Sequence, residues 1–164
     1  MSKQQRDAID AALRAEPFGL NQSTDGHRTS FDAFALHPFF PWADISRSGA
    51  SMRTKDGPDP LFSYDAMGWY AGRYVPAGDR SAPLVSPVFA ALAGLPPLLI
   101  QVGSHEVLLD DAVRLAANAG RDDVEVRLQV APEGTHVFQF QFGALDEADD
   151  AINEVARFFQ RHLS

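Results

Sequence analysis

Apolar and polar positions alternate with two different periods along the second half of this chain. Residues 98–102 (Leu-Leu-Ile-Gln-Val) are almost unbroken apolar, which predicts a buried strand. Val124, Val126, Leu128 and Val130 alternate with polar residues and predict a second strand over 124–130. Between them, Val113, Leu115 and Ala116 recur at helical spacing within 108–119, with Asp110 and Asp111 near the positive end and Gly120 as the expected cap. A strand–helix–strand unit of this kind predicts parallel, right-handed pairing and an α/β fold class. A last helix is predicted over 146–162, with Ile152, Val155, Phe159 and Leu163 inward.

The first half is less periodic. Ile9, Ala12 and Leu13 predict a helix over 4–15, ended by Glu16-Pro17. Phe31, Phe34 and Ala35 predict a short helix over 29–36, stopped at His37-Pro38. Ser63 is a suitable N-cap for a helix over 64–74, with Met67, Tyr70 and Tyr74 on one face. Residues 41–60 and 83–93 read as loop or irregular structure.

Composition narrows the function classes. With 164 residues, 45% hydrophobic and 22% charged, the chain fits one globular domain. The net charge of −8 argues against nucleic acid or an anionic membrane as partner. The absence of cysteine excludes disulfides, thiol nucleophiles and Cys-ligated metals, and fits a cytoplasmic protein. The first residues lack a hydrophobic signal region. The apolar run 84–102 is interrupted by Pro87, Pro96 and Pro97, so no membrane span is expected. His27, His37 and His162 lack metal-ligand spacing, and no cofactor or metal is expected.

Two residues sit where chemistry gathers in α/β sheets, just past the carboxyl ends of strands. Glu106 follows the first strand and its Gly103-Ser104 turn. His136 follows the second, in Gly134-Thr135-His136-Val137-Phe138. By residue type alone each is more often a solvated or structural group.

A set of ordered motifs sharpens this. Pro41-Trp42-Ala43-Asp44-Ile45, Asp59-Pro60-Leu61, Trp69-Tyr70, Leu84-Val85-Ser86-Pro87, Leu95 through Gly103, Glu106-Val107-Leu108-Leu109-Asp110-Asp111 and His136-Val137-Phe138 together resemble the C-terminal part of the hormone-sensitive-lipase-like α/β-hydrolases, the bacterial family IV carboxylesterases. The resemblance implies a Ser–acid–His triad for ester hydrolysis, with Glu106 as the acid and His136 as the histidine. It implies small esters as substrates, if the chain is active, and Trp69 and Tyr70 as candidate pocket walls.

Two of the family's motifs are missing from the 164 residues. No serine has glycine at both the −2 and +2 positions, so the Gly-x-Ser-x-Gly nucleophile elbow is absent. Gly26-His27 is not followed by glycines, so the His-Gly-Gly-Gly oxyanion stretch is absent too. Residues 1–39 resemble the family's N-terminal cap helices, and 40–164 its C-terminal part, with a cap helix about 63–75 and a sheet portion about 96–164. The two pieces meet near Phe39–Pro41, as if the central block were deleted. The expected fold is therefore a partial α/β-hydrolase: the C-terminal strand–helix–strand–helix portion of a parallel sheet plus helical cap segments. Exposed strand edges and marginal stability are expected. The chain as given is therefore expected to be an inactive remnant of the family; an active enzyme would need another serine, such as Ser86 or Ser104. The alternative is a non-catalytic interaction module, or a homo-oligomer that pairs through the sheet edge.

Overall fold

Leu98, Ile100 and Val102 point to one face of their strand, Leu99 and Gln101 to the other, and both faces are covered. In the computed structural model, which describes residues 41–162, all six residues of β1 (Leu98–Gly103) are buried. It pairs in parallel with β2 (Val126–Ala131), Leu98 opposite Val126 and Gly103 opposite Ala131. Among the described residues four helices precede or follow these strands: α1 (Ser51–Thr54), α2 (Tyr64–Tyr74), α3 (Leu109–Arg121) and α4 (Asp146–His162). Single 3₁₀ turns occur at Pro87–Phe89 and Phe138–Gln141.

The helix α3 covers one face of the sheet. Ala112, Leu115, Ala116 and Ala119 bury against Leu98, Ile100 and Val102, with Ala43, Val88 and Leu92 closing the side. On the other face Phe158 of α4 packs on Leu99. Gln101 is fully buried there. Its amide nitrogen donates to Gln129 Oε1 at 2.7 Å and to the Ala151 carbonyl at 2.9 Å, and Gln139 donates to its oxygen at 3.3 Å. The amide is thus satisfied, as a buried polar group must be.

The predicted helix over 64–74 is present. Ser63 caps it by accepting from the Ala66 N–H at 3.2 Å. Several expectations need correction. The expected loop 41–60 contains α1. Tyr74 is exposed, and α2 buries Met67 and Ala71 instead. In α3 Val113 is 40% exposed; the small residues beside Leu115 allow the close approach to the sheet. Gly120 lies inside α3, and the chain reverses at Asp123, whose φ is 58°. A short polar side chain tolerates that left-handed conformation. In α4 the buried stripe is Ala148, Ala151 and Phe158, while Ile152 is 39% exposed. The second strand starts two residues late, and Leu128 and Val130 remain over a third exposed. The expectation of exposed edges therefore fails for β1, whose residues are all buried. The helices expected over 4–15 and 29–36, and the cap assigned to 1–39, lie outside the described residues.

Candidate active site

The two strands deliver their following loops to one place, and a pair of glycines lets the loops touch. Gly103 ends β1. A Cβ built on it would lie 2.2 Å from the Gly134 carbonyl oxygen and 2.9 Å from that of Thr135. A Cβ on Gly134 would in turn lie 2.9 Å from Ala131 Cβ. The need is for close backbone approach. Three hydrogen bonds lace the loops together: Ser104 N–H to Ala131 O at 2.9 Å, His105 N–H to Gly134 O at 2.9 Å, and Glu133 N–H to Ser104 Oγ at 2.7 Å.

This crossing brings the two predicted residues together. His136 Nδ1 lies 2.8 Å from Glu106 Oε2, and both side chains are buried. The other carboxylate oxygen, Oε1, accepts from the Gly103 N–H at 2.6 Å. Burial pushes the Glu106 carboxyl above its ordinary value. The hydrogen bond and charge of His136 and the Gly103 N–H pull it back, and the nearby Asp59 adds to the rise. An ionised Glu106 makes Nδ1 the protonated nitrogen, so proton acceptance would fall to Nε2. The Phe62 ring stands edge-on to the imidazole, with centroids 4.7 Å apart. Tyr70 stands edge-on to Phe62, and Trp69 to Tyr70.

The residue after the histidine is held in an unfavourable conformation. Val137 has φ 54° and ψ 34°, a left-handed geometry rare for a β-branched side chain. It directs the chain from His136 into the 3₁₀ turn that buries Phe138. We expect Val137→Gly to be more stable than Val137→Ala by about 1 kcal/mol, the reverse of their usual order. Urea unfolding midpoints of the two variants check this; alanine at or above glycine refutes it.

Sequence reasoning missed the supports of the acid loop. Asp59 Oδ2 accepts from the Val107 N–H at 2.9 Å. Ser51 Oγ donates to the Val107 carbonyl at 2.7 Å and accepts from the Asp110 N–H at 2.9 Å, while Asp110 Oδ2 accepts from the Ser51 N–H at 2.9 Å. Asp111 Oδ2 accepts from the backbone N–H groups of Ala43 and Asp44 at 2.9 and 2.7 Å. Asp44 is buried as well, and accepts from Ser46, Ser48 and Arg114, the last at 2.7 Å. The aspartates expected to serve the helix dipole are therefore clamps on the 41–51 segment. Their presence within the ordered motifs was the available signal.

The serines considered as substitute nucleophiles have other engagements. Ser86 is buried; its Oγ donates to Arg80 O at 2.6 Å and accepts from the Ile45 N–H at 2.8 Å. Ser104 Oγ accepts from Glu133 as above. His105, next to Glu106, is half-buried. Trp69 is over half exposed, with the Arg73 guanidinium 4.4 Å above its ring. Among the described residues, no group of three or more His, Asp or Glu converges to hold a metal ion.

Comparison with known proteins decides the lineage. A family model described as alpha/beta hydrolase fold matches residues 21–140. The chain belongs to the α/β-hydrolase fold family. An acetyl-hydrolase of Streptomyces hygroscopicus is 42% identical over 121 residues, which span 74% of this chain and 40% of that protein. An esterase of Acinetobacter venetianus is 35% identical over 122 residues, 72% of this chain and 39% of that protein. Among solved structures, an esterase from the bacterial hormone-sensitive lipase family superposes with a TM-score of 0.76 at 35% identity, over 80% of this chain and 44% of that one. This α/β-hydrolase is thus a relative of the hormone-sensitive-lipase-type esterases. It spans about 40% of the length of the curated relatives it matches. No helix among the described residues is long and apolar enough to cross a membrane.

Proposed function

We propose that this chain carries the acid–histidine limb of a carboxylester hydrolase site, and that these 164 residues do not hydrolyse esters by themselves. The observation that supports the first half is the buried Glu106–His136 pair at 2.8 Å, built on the crossing of two strand-end loops. In that reading Glu106 fixes the imidazole tautomer and stabilises the imidazolium, and His136 Nε2 takes a proton from a nucleophile. The second half follows from the missing Gly-x-Ser-x-Gly and His-Gly-Gly-Gly motifs. Without an activated serine and its oxyanion donors, most of the acceleration is lost. The chemistry the pair would serve is hydrolysis of small acyl esters, with the nucleophile lying in the sheet segment that would fall between Phe39 and Pro41.

Hydrolysis of p-nitrophenyl acetate and butyrate by the purified chain tests this. The expected rate equals that of a His136→Ala variant. A wild-type rate tenfold or more above it, with one serine labelled by a fluorophosphonate, overturns the inactive reading.

A further inference from the structure

The Glu106 turn is weakly held by its own backbone. The Glu106 N–H reaches Gly103 O only at 3.4 Å, beyond ordinary hydrogen-bond length. The Gly103 N–H and His136 hold the carboxylate itself, and the backbone that follows Glu106 is held from outside the turn. We propose that Asp59 is a positioning residue, a single buried carboxylate that ties the backbone beside Glu106 to the aromatic wall of His136.

Asp59 is 4% exposed and accepts three backbone N–H groups. Oδ1 takes those of Leu61 at 2.9 Å and Phe62 at 3.0 Å, a local turn that sets the Phe62 backbone. Oδ2 takes that of Val107, 48 positions away and adjacent to Glu106. Phe62 presents its ring to His136 and packs against the cluster formed by Met52, Met67, Val107 and Leu108. Asp59 itself is anchored by its own N–H to Lys55 O at 3.0 Å. One carboxylate therefore links the acid and the ring against the histidine through two planar oxygens. Its charge also lies close enough to Glu106 to raise that group's proton affinity. A neutral amide at this position would keep the Oδ1 bonds but turn an N–H donor toward the Val107 N–H.

The inference rests on the reading of Glu106 and His136 as a functional pair, and the test separates the two. The measurement is the His136 Nδ1–H proton resonance, followed by NMR on the labelled full chain at one pH and assigned through a His136→Gln variant. Glu106→Gln should abolish the downfield signal that a charge-assisted bond to a carboxylate gives. Asp59→Asn should speed solvent exchange of that proton by about tenfold, with unchanged helical circular dichroism. If Glu106→Gln removes the signal and Asp59→Asn leaves the exchange rate as in the wild type, Asp59 is only structural and the inference is overturned. If Glu106→Gln has no effect, the pair itself fails. The wild-type chain supplies a readout that needs no variant: the Leu61, Phe62 and Val107 amide resonances should move together as one carboxyl is protonated in acid. Val107 moving apart from the other two also overturns the bridge.

Discussion

Gly103→Ala should lower stability by about 3 kcal/mol or more and separate Glu106 from His136. The new methyl would sit 2.2 Å from a backbone oxygen, which cannot rotate away as a side chain could. The two loops must part by about 1 Å, and overpacking of that kind costs about 1–3 kcal/mol. Parting them also strains the Ser104–Ala131 and His105–Gly134 hydrogen bonds, worth about 1 kcal/mol each. For a chain of this size the melting temperature should fall by about 10 °C. Gly72→Ala is the matched control, because its Cβ would meet only Arg80 Nη2 at 3.8 Å, an ordinary contact. Gly72→Ala should be neutral or slightly stabilising. Equal melting temperatures for the two variants would refute the crossing as a fixed point of the fold.

The second large effect is a loss of stability as pH rises. Asp111 is fully buried, and burial pushes its carboxyl up to about 7. The backbone N–H groups of Asp44 and Ala43 and the charge of Arg114 oppose that rise, and the charge of Asp44 adds to it. Asp44 also pays for burial, but its bonds from Ser46, Ser48 and Arg114 outweigh that and hold it below its ordinary value. The pair thus favours one ionised member, Asp44. A carboxyl raised in the folded state binds its proton more tightly there than in the unfolded chain. Its contribution is complete below about pH 4 and is lost as pH rises through about 7. Between pH 5 and pH 8 the wild type should lose about 2 kcal/mol relative to Asp111→Asn. The asparagine oxygen can keep the bonds from Ala43 and Asp44, and its amide replaces Oδ1, which has no partner among the described residues. Denaturant titrations of both proteins at the two pH values measure the difference. Parallel pH profiles would refute the raised carboxyl.

What could be seen in the sequence was what repeats locally. The apolar run at 98–102 and the alternation after Val124 located the strands, and the ordered motifs picked out Glu106 and His136. Features that depend on approach from a distance were invisible. Nothing near Gly103 announces that Gly134 lies against it, and nothing near Asp59 announces Val107. The α4 stripe was misjudged for a related reason. Ile152 and Phe159 have helical spacing as good as Ala148, Ala151 and Phe158, and only the direction from which the sheet is met chooses between them. Gly120 is the expected cap because glycine is the commoner one, yet the helix runs one further residue and hands the reversal to Asp123.

The buried Gln101 has a further consequence, for how the strands are aligned. Burial of a sheet face already opposes a slip of one residue, which turns every side chain to the other face, but it does less to forbid a slip of two. Gln101 faces Gln129 across the pair, and Ala151 and Gln139 complete its bonds. A slip by one residue would turn an amide into the apolar contact with α3. A slip by two would leave it opposite Arg127 or Ala131 with its partners out of reach. Either leaves a buried amide unsatisfied, at about 1–3 kcal/mol. A two-residue slip would also carry Glu106 about 7 Å along the strand axis from His136. The glutamine therefore works as a vernier: it admits one alignment of the sheet, and that alignment is the one in which the acid meets the histidine.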